Sequence, residues 1–180
     1  MFKHEKVLWI TRTAVFIAIT VVLQALTVPL GNQLLTGSIV NLMLITSVMT
    51  CGLPTGLTVS IVTPVMPTLL GFGPVWPIVP FIAAGNMALV TLWHFLGNLK
   101  LPVASASYVI ALVAAAVAKF LVLYCGVSLI AVPVLLGLPE PQATIITNLF
   151  SLPQLLTASI GGACAIVILP ALKKAIKNKQ

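Results

Sequence analysis

The chain has 180 residues, of which 60% are hydrophobic and only 6% charged, with a mean hydropathy of +1.20. Soluble domains carry roughly a quarter charged residues, so this chain cannot clothe a globule in polar surface, and a bilayer must be its solvent. A net charge of +7 would suit nucleic acid, but the cations flank the apolar runs, where they meet headgroups; that excludes nucleic acid as a partner.

Inside hydrocarbon every backbone amide needs an internal partner, which leaves helices or a closed barrel. The apolar runs are long and do not alternate strictly with polar residues, which selects helices. Gly, Pro and Asn divide the chain into six predicted helices, near 10–28, 38–52, 55–71, 77–97, 102–131 and 141–170. The expected fold is an all-α membrane protein, a six-transmembrane-helix bundle forming one integral membrane domain over residues 1–180, without a soluble domain.

Lys3, Lys6 and Arg12 precede the first apolar run. That run, 14–30, is long for a signal peptide and is not followed by a small-x-small cleavage site, so it reads as a retained helix. Predicted helix 2 carries a lone amide, Asn41, and predicted helix 3 carries Pro64 and Pro67. Prolines inside a helix free backbone carbonyls and kink it, which is tolerable only against protein or a cavity. Helices 2 and 3 are short for a crossing of ~20 residues, which keeps open a four-helix alternative that merges or drops them. Phe72 and Trp76 follow, placed either to stack over a planar ligand or to anchor at the interface. Predicted helix 4 holds Asn86, a structural hydrogen bonder or a pocket floor, and ends near His94. Neither His94 nor His4 has a partner at metal-ligand spacing.

Charge sets the orientation. With the N-terminus inside, Lys100 falls in an inside loop, Lys173, Lys174, Lys177 and Lys179 end the chain inside, and Glu140 lies outside. Cytoplasmic N- and C-termini and a multi-pass plasma-membrane location follow. Trp9 and Trp93 then mark the inner interface and Trp76 the outer one. Cys51, Cys125 and Cys164 lie in apolar segments without Cys-x-x-Cys spacing, which suggests buried packing residues. No metal or other cofactor is expected.

The remaining cation, Lys119, interrupts the apolar run 113–124 of predicted helix 5. It lies about 17 residues into that helix, roughly 25 Å from the inner end at ~1.5 Å per residue, in the outer half of a core ~30 Å thick. A lysine there costs at least ~2.5–3.5 kcal/mol. Snorkelling to the outer headgroups is one placement. A water-accessible pocket in which the amine meets an anionic or polar ligand is the other, and intramembrane ionisable groups usually mark such sites. An internal ion pair has only Glu5 and Glu140 to draw on. Tyr108, Leu112, Ala115 and Ala116 lie on or beside the lysine's stripe, the alanines suiting close helix packing. In predicted helix 6, Thr144, Thr147, Asn148 and Ser151 share one face, Gln154 continues it, and Ala158, Gly161 and Gly162 follow. This polar outer half serves either interhelical hydrogen bonds or a ligand. The candidate ligand-binding residues are therefore Lys119, Asn148, Ser151, Thr147, Gln154, Asn86, Trp76, Asn41 and Tyr108.

An enzyme is disfavoured, because no acidic residue lies within a predicted apolar helix and no nucleophile–base pair is evident. The chain has no Gly-x-x-x-x-Gly-Lys loop, so any ATPase must be a separate chain. In helix 1, the stretch from Arg12 through Ala14 to Ala18 resembles the Ala-x-x-x-Ala segment of the substrate-binding S components of energy-coupling factor (ECF) vitamin transporters. Length and six-helix topology share the resemblance. It implies a vitamin or related micronutrient bound from outside, near the outer ends of helices 4 to 6 and under the loop at 29–37. It also implies partnership with a transmembrane coupling protein and two cytoplasmic ATPases, with Ala14 and Ala18 as the docking positions. The S component is expected to topple in the membrane, a motion that a nearly charge-free body makes less costly. Lys119 would favour a small anionic vitamin, pantothenate- or nicotinate-like, over a neutral heterocycle. An autonomous carrier or channel is the alternative.

Overall fold

Uncharged apolar segments satisfy their amides through their own helical hydrogen bonds, and each predicted run is helical in the computed structural model, which describes residues 2–101 and 104–177. The elements are α1 (Phe2–Thr27), α2 (Gln33–Cys51), α3 (Leu53–Leu69), α4 (Val79–Gly97) and α5 (Ala104–Leu123), a π-helical continuation of α5 (Tyr124–Leu136), then α6 (Glu140–Leu149) and α7 (Leu152–Lys177). Among the described residues there is no strand. Five spans are long and apolar enough to cross a membrane: Lys6–Leu30, Gln33–Cys51, Trp76–Gly97, Ala106–Leu136 and Glu140–Ala175. Leu53–Leu69 is apolar but shorter. Lys179 and positions 102–103 of predicted helix 5 lie outside the described residues, as do the side chains of Lys3, His4, Glu5 and Lys177.

The early part of α1, the α2–α3 junction, the end of α4, the start of α5 and the end of α7 gather at one end of the bundle, the terminal end. There Trp9 and Arg12 of α1 border one cavity with Cys51 and Thr55, and Lys173 of α7 donates to the Tyr108 hydroxyl of α5 at 3.2 Å. The opposite, distal end is formed by residues 28–32, 70–78 and 137–151.

Local chemistry explains where the observed boundaries depart from the expected ones. Helix α2 begins at Gln33 instead of 38, because the Asn32 side chain caps it, accepting the Leu35 N–H at 3.1 Å. Thr36 and Gly37 are therefore helical, and the expected loop at 29–37 shrinks to a short 3-10 turn, Val28–Leu30, and two further residues. Helix α5 does not stop near 131. It widens into π turns that carry it past Pro133 to Leu136, and Gly137 ends it with φ +54°.

The largest departure is in predicted helix 6. It is two helices, broken at Phe150–Ser151. Pro153 lacks an N–H and disfavours helical backbone before it, so the ladder cannot run through this point. The predicted polar stripe from Thr144 to Gln154 is thus not one helical face. The cysteines also differ from expectation: Cys51 is half-buried, whereas Cys125 and Cys164 are exposed on the bundle surface.

A central core joins Leu44, Ile45 and Val48 of α2, Val59 of α3, Leu89, Val90 and Trp93 of α4, Ala111, Ala115 and Ala116 of α5, and Ala158, Ala165 and Leu169 of α7. Small residues let α2 and α7 approach closely. A Cβ on Gly161 would sit 2.6 Å from the Ser38 carbonyl oxygen, and one on Gly37 would sit 2.7 Å from Thr157 Cγ2. A second cluster, Ile78, Leu123, Val127, Ala131 and Val132, closes one side of the distal end.

Candidate functional site

The amine of Lys119 does not snorkel. It points inward from the last turns of α5, and the residue is 4% exposed. Its Nζ donates to Asn41 Oδ1 of α2 at 2.6 Å and to Asn86 Oδ1 of α4 at 2.8 Å. Both asparagines are buried. Each is held by its other amide atom. Asn41 Nδ2 donates to Thr157 Oγ1 of α7 at 3.3 Å, and that hydroxyl donates to the Gln154 carbonyl at 3.1 Å. Asn86 Nδ2 donates to the Ser60 carbonyl of α3 at 3.4 Å. These contacts fix both amide oxygens toward the lysine.

Proline explains why the Ser60 carbonyl is free to accept. It lies four residues before Pro64, which brings no N–H to the helical ladder. The same spacing recurs at the α6–α7 break, where Pro153 leaves the Leu149 carbonyl without its helical donor. That oxygen accepts Gln33 Nε2 of α2 at 2.7 Å and Gln154 Nε2 of α7 at 3.1 Å. Two prolines thus create acceptors that orient three amide side chains.

These side chains border a hollow that opens at the distal end. An outer cavity of about 490 Å³ lies among Val28, Asn32, Pro67, Phe72, Val75, Ile78, Ile146 and Leu149. An inner cavity of about 190 Å³ reaches Val40, Thr63, Ile82, Asn86, Gln154 and Lys119. Gln24, Gln33, Thr36, Pro74 and Phe150 border both, so the two are chambers of one hollow. The wall at 70–75 is pinned to α3: Phe72 and Gly73 N–H groups donate to the Pro67 carbonyl at 3.0 and 2.9 Å, and Thr68 Oγ1 donates to the Pro74 carbonyl at 2.9 Å.

An ammonium carries three donors. Two go to the asparagines, which leaves one N–H for the inner chamber that Lys119 lines. Both fixed partners are neutral. Among the described side chains the one acidic residue is Glu140, and it does not border the hollow. A buried cation with only dipoles around it gains most from an anion delivered to it.

Of the candidate residues, Lys119, Asn86 and Gln154 border the inner chamber, and Asn41 stands directly behind the amine. The others lie elsewhere. Thr147 and Ser151 are half-buried at the α6–α7 junction, where Ser151 Oγ donates back to the Thr147 carbonyl at 2.5 Å, and Asn148 is exposed. Trp76 is exposed beside the hollow, while its neighbour Phe72 lines the outer chamber. Tyr108 lies at the terminal end, packed near Trp93 and Lys173. Ala14 and Ala18 are exposed on α1. Sequence reasoning missed Gln24 and Phe150, and had Gln33 and Thr36 only as part of the loop expected over the ligand. For Gln33 the available signal was Pro153, whose position marks Leu149 as an acceptor. Among the described residues no group of three His, Cys, Asp or Glu side chains comes together.

The chain matches no family model, no curated protein and no solved structure.

Proposed function

We propose that this protein binds a small organic anion within the membrane, in the hollow that ends at Lys119, and delivers it into the cell as the substrate-binding S component of an ECF-type, ATP-driven uptake transporter. The cation-rich terminal end is the cytoplasmic one by the positive-inside rule, which turns the mouth of the hollow outward across the plasma membrane. The observation that carries the reading is Lys119 itself: a buried amine without an acidic partner among the described residues, at the inner end of a hollow of ligand size. The resemblance of the Ala14 to Ala18 segment supports a coupling protein and two ATPases as partners, and pantothenate- or nicotinate-like acids are the favoured cargo.

The test is equilibrium titration of the protein in lipid nanodiscs with pantothenate and nicotinate. One of these acids is expected to bind, with affinity reduced roughly 10- to 100-fold in Lys119→Met and an unchanged gel-filtration profile. Equal affinity of variant and wild type would remove the lysine from the site. Uptake of the acid by this chain alone in liposomes, without ATP, would instead assign an autonomous carrier.

A further inference from the structure

The hollow is chemically graded along its length. Lys119 borders only the inner chamber. Val28, Ile78, Ile146 and Leu149 border only the outer one. Between them, bordering both, is Gln24 of α1. Its Oε1 is buried and has no hydrogen-bond partner among the described residues. This sets it apart from the neighbouring amides, since Gln33 and Gln154 are tied to the Leu149 carbonyl and Asn86 to Ser60 and Lys119.

We infer that the ligand is an elongated organic acid with three parts in order: a carboxylate at Lys119, an N–H or O–H donor at Gln24, and an apolar end in the outer chamber. The inference rests on the anion-binding reading above and adds the middle and outer parts of the ligand. An amide oxygen accepts and never donates, so only a donor satisfies Gln24. A buried acceptor left unpaired bears the full cost of its desolvation. A site built around such a group rejects analogues that lack the donor far more strongly than it rejects changes in apolar bulk. The outer chamber, walled by aliphatic side chains and Phe72, favours an aliphatic or planar apolar end with no further charge.

The test uses matched pairs that differ in one N–H. The amides are the N-isovaleryl derivatives of glycine, β-alanine and γ-aminobutyric acid, which set the N–H at increasing distance from the carboxylate. Their counterparts are the O-isovaleryl esters of the corresponding hydroxy acids, which keep shape and charge and lose the donor. Each is titrated into wild type, Gln24→Leu and Lys119→Met in nanodiscs. At least one amide is expected to bind the wild type about tenfold or more tightly than its ester. Gln24→Leu should bring that ratio near one, and Lys119→Met should weaken amide and ester alike. Equal binding of every pair to the wild type, or a preference that survives Gln24→Leu, overturns the assignment of Gln24 while leaving the anion site intact. If Lys119→Met changes neither class, or no acid binds, the anion-binding reading fails and takes this one with it. The wild-type ratio alone decides the matter should Gln24→Leu not fold.

Discussion

Lys119 has no counter-charge beside it among the described residues, because the two groups that hold it, Asn41 and Asn86, contribute dipoles and no negative charge. A lysine kept for structure alone would be better served by a carboxylate, since a buried ion without a counter-charge is destabilising. The asparagines leave the charge available while fixing the position of the amine. Asn86→Asp tests this directly. It places a carboxylate where the amide oxygen now accepts at 2.8 Å and gives up the donation to the Ser60 carbonyl, so the protein should still fold, the new ion pair offsetting the lost hydrogen bond, and lose at least about tenfold in affinity for organic acids. Retained acid binding in the aspartate variant, measured by titration, would show that the charge of Lys119 is not what the ligand meets. The presence of Lys119 and its two asparagines in apolar segments was legible from the sequence, as three polar side chains that hydrocarbon would not tolerate unpartnered. Their meeting was not, because a whole helix, α3, separates Asn41 from Asn86 in the chain and only the packing of α2, α4 and α5 brings them to one point.

The α6–α7 junction shows how a helix break is used. A continuous helix would tie the Leu149 carbonyl to the N–H of residue 153. With proline there, that carbonyl takes Gln33 and Gln154 instead, and Phe150 turns to border both chambers. Pro153→Ala restores the missing donor. We expect higher helix content by circular dichroism, an undiminished melting temperature, and acid affinity lowered about tenfold. Unchanged affinity would mean that the junction walls the hollow without shaping it. A polar stripe at helical spacing predicted one face for Thr147, Asn148, Ser151 and Gln154. The stripe failed because periodicity assumes an unbroken ladder, and Pro153 breaks it between Ser151 and Gln154. The π-helical stretch to Leu136 was invisible for a different reason: a uniformly apolar run carries no period from which a change of helical pitch can be read. Counting four residues back from Pro64 and from Pro153 would have located both orphan carbonyls beforehand.

The bundle divides into a packed body and a hollow distal end. Close contacts at Gly37 and Gly161 draw α2 against α7, and the central core fills the space around Trp93 up to the level of Ala116. Above that level α4 and α5 with its continuation stay packed through Phe81, Leu123 and Val127, while beside them a hollow opens, lined by amides and aliphatic groups. Helical class, membrane solvent and the flanking charges were plain in the composition, since 6% charged residues leave few other options. The hollow was not, because its shape depends on the tilt and spacing of helices, which no run of residues encodes locally. In the orientation proposed above, this end is the receiving face and the terminal end, with Arg12 and Lys173, is the cytoplasmic face. The most direct measurement is mass spectrometry of small molecules released from wild-type protein and from Lys119→Met purified in parallel. The account predicts an organic acid bound to the wild type and lost from the variant. A neutral compound, or the same acid retained at equal occupancy by both, would contradict it.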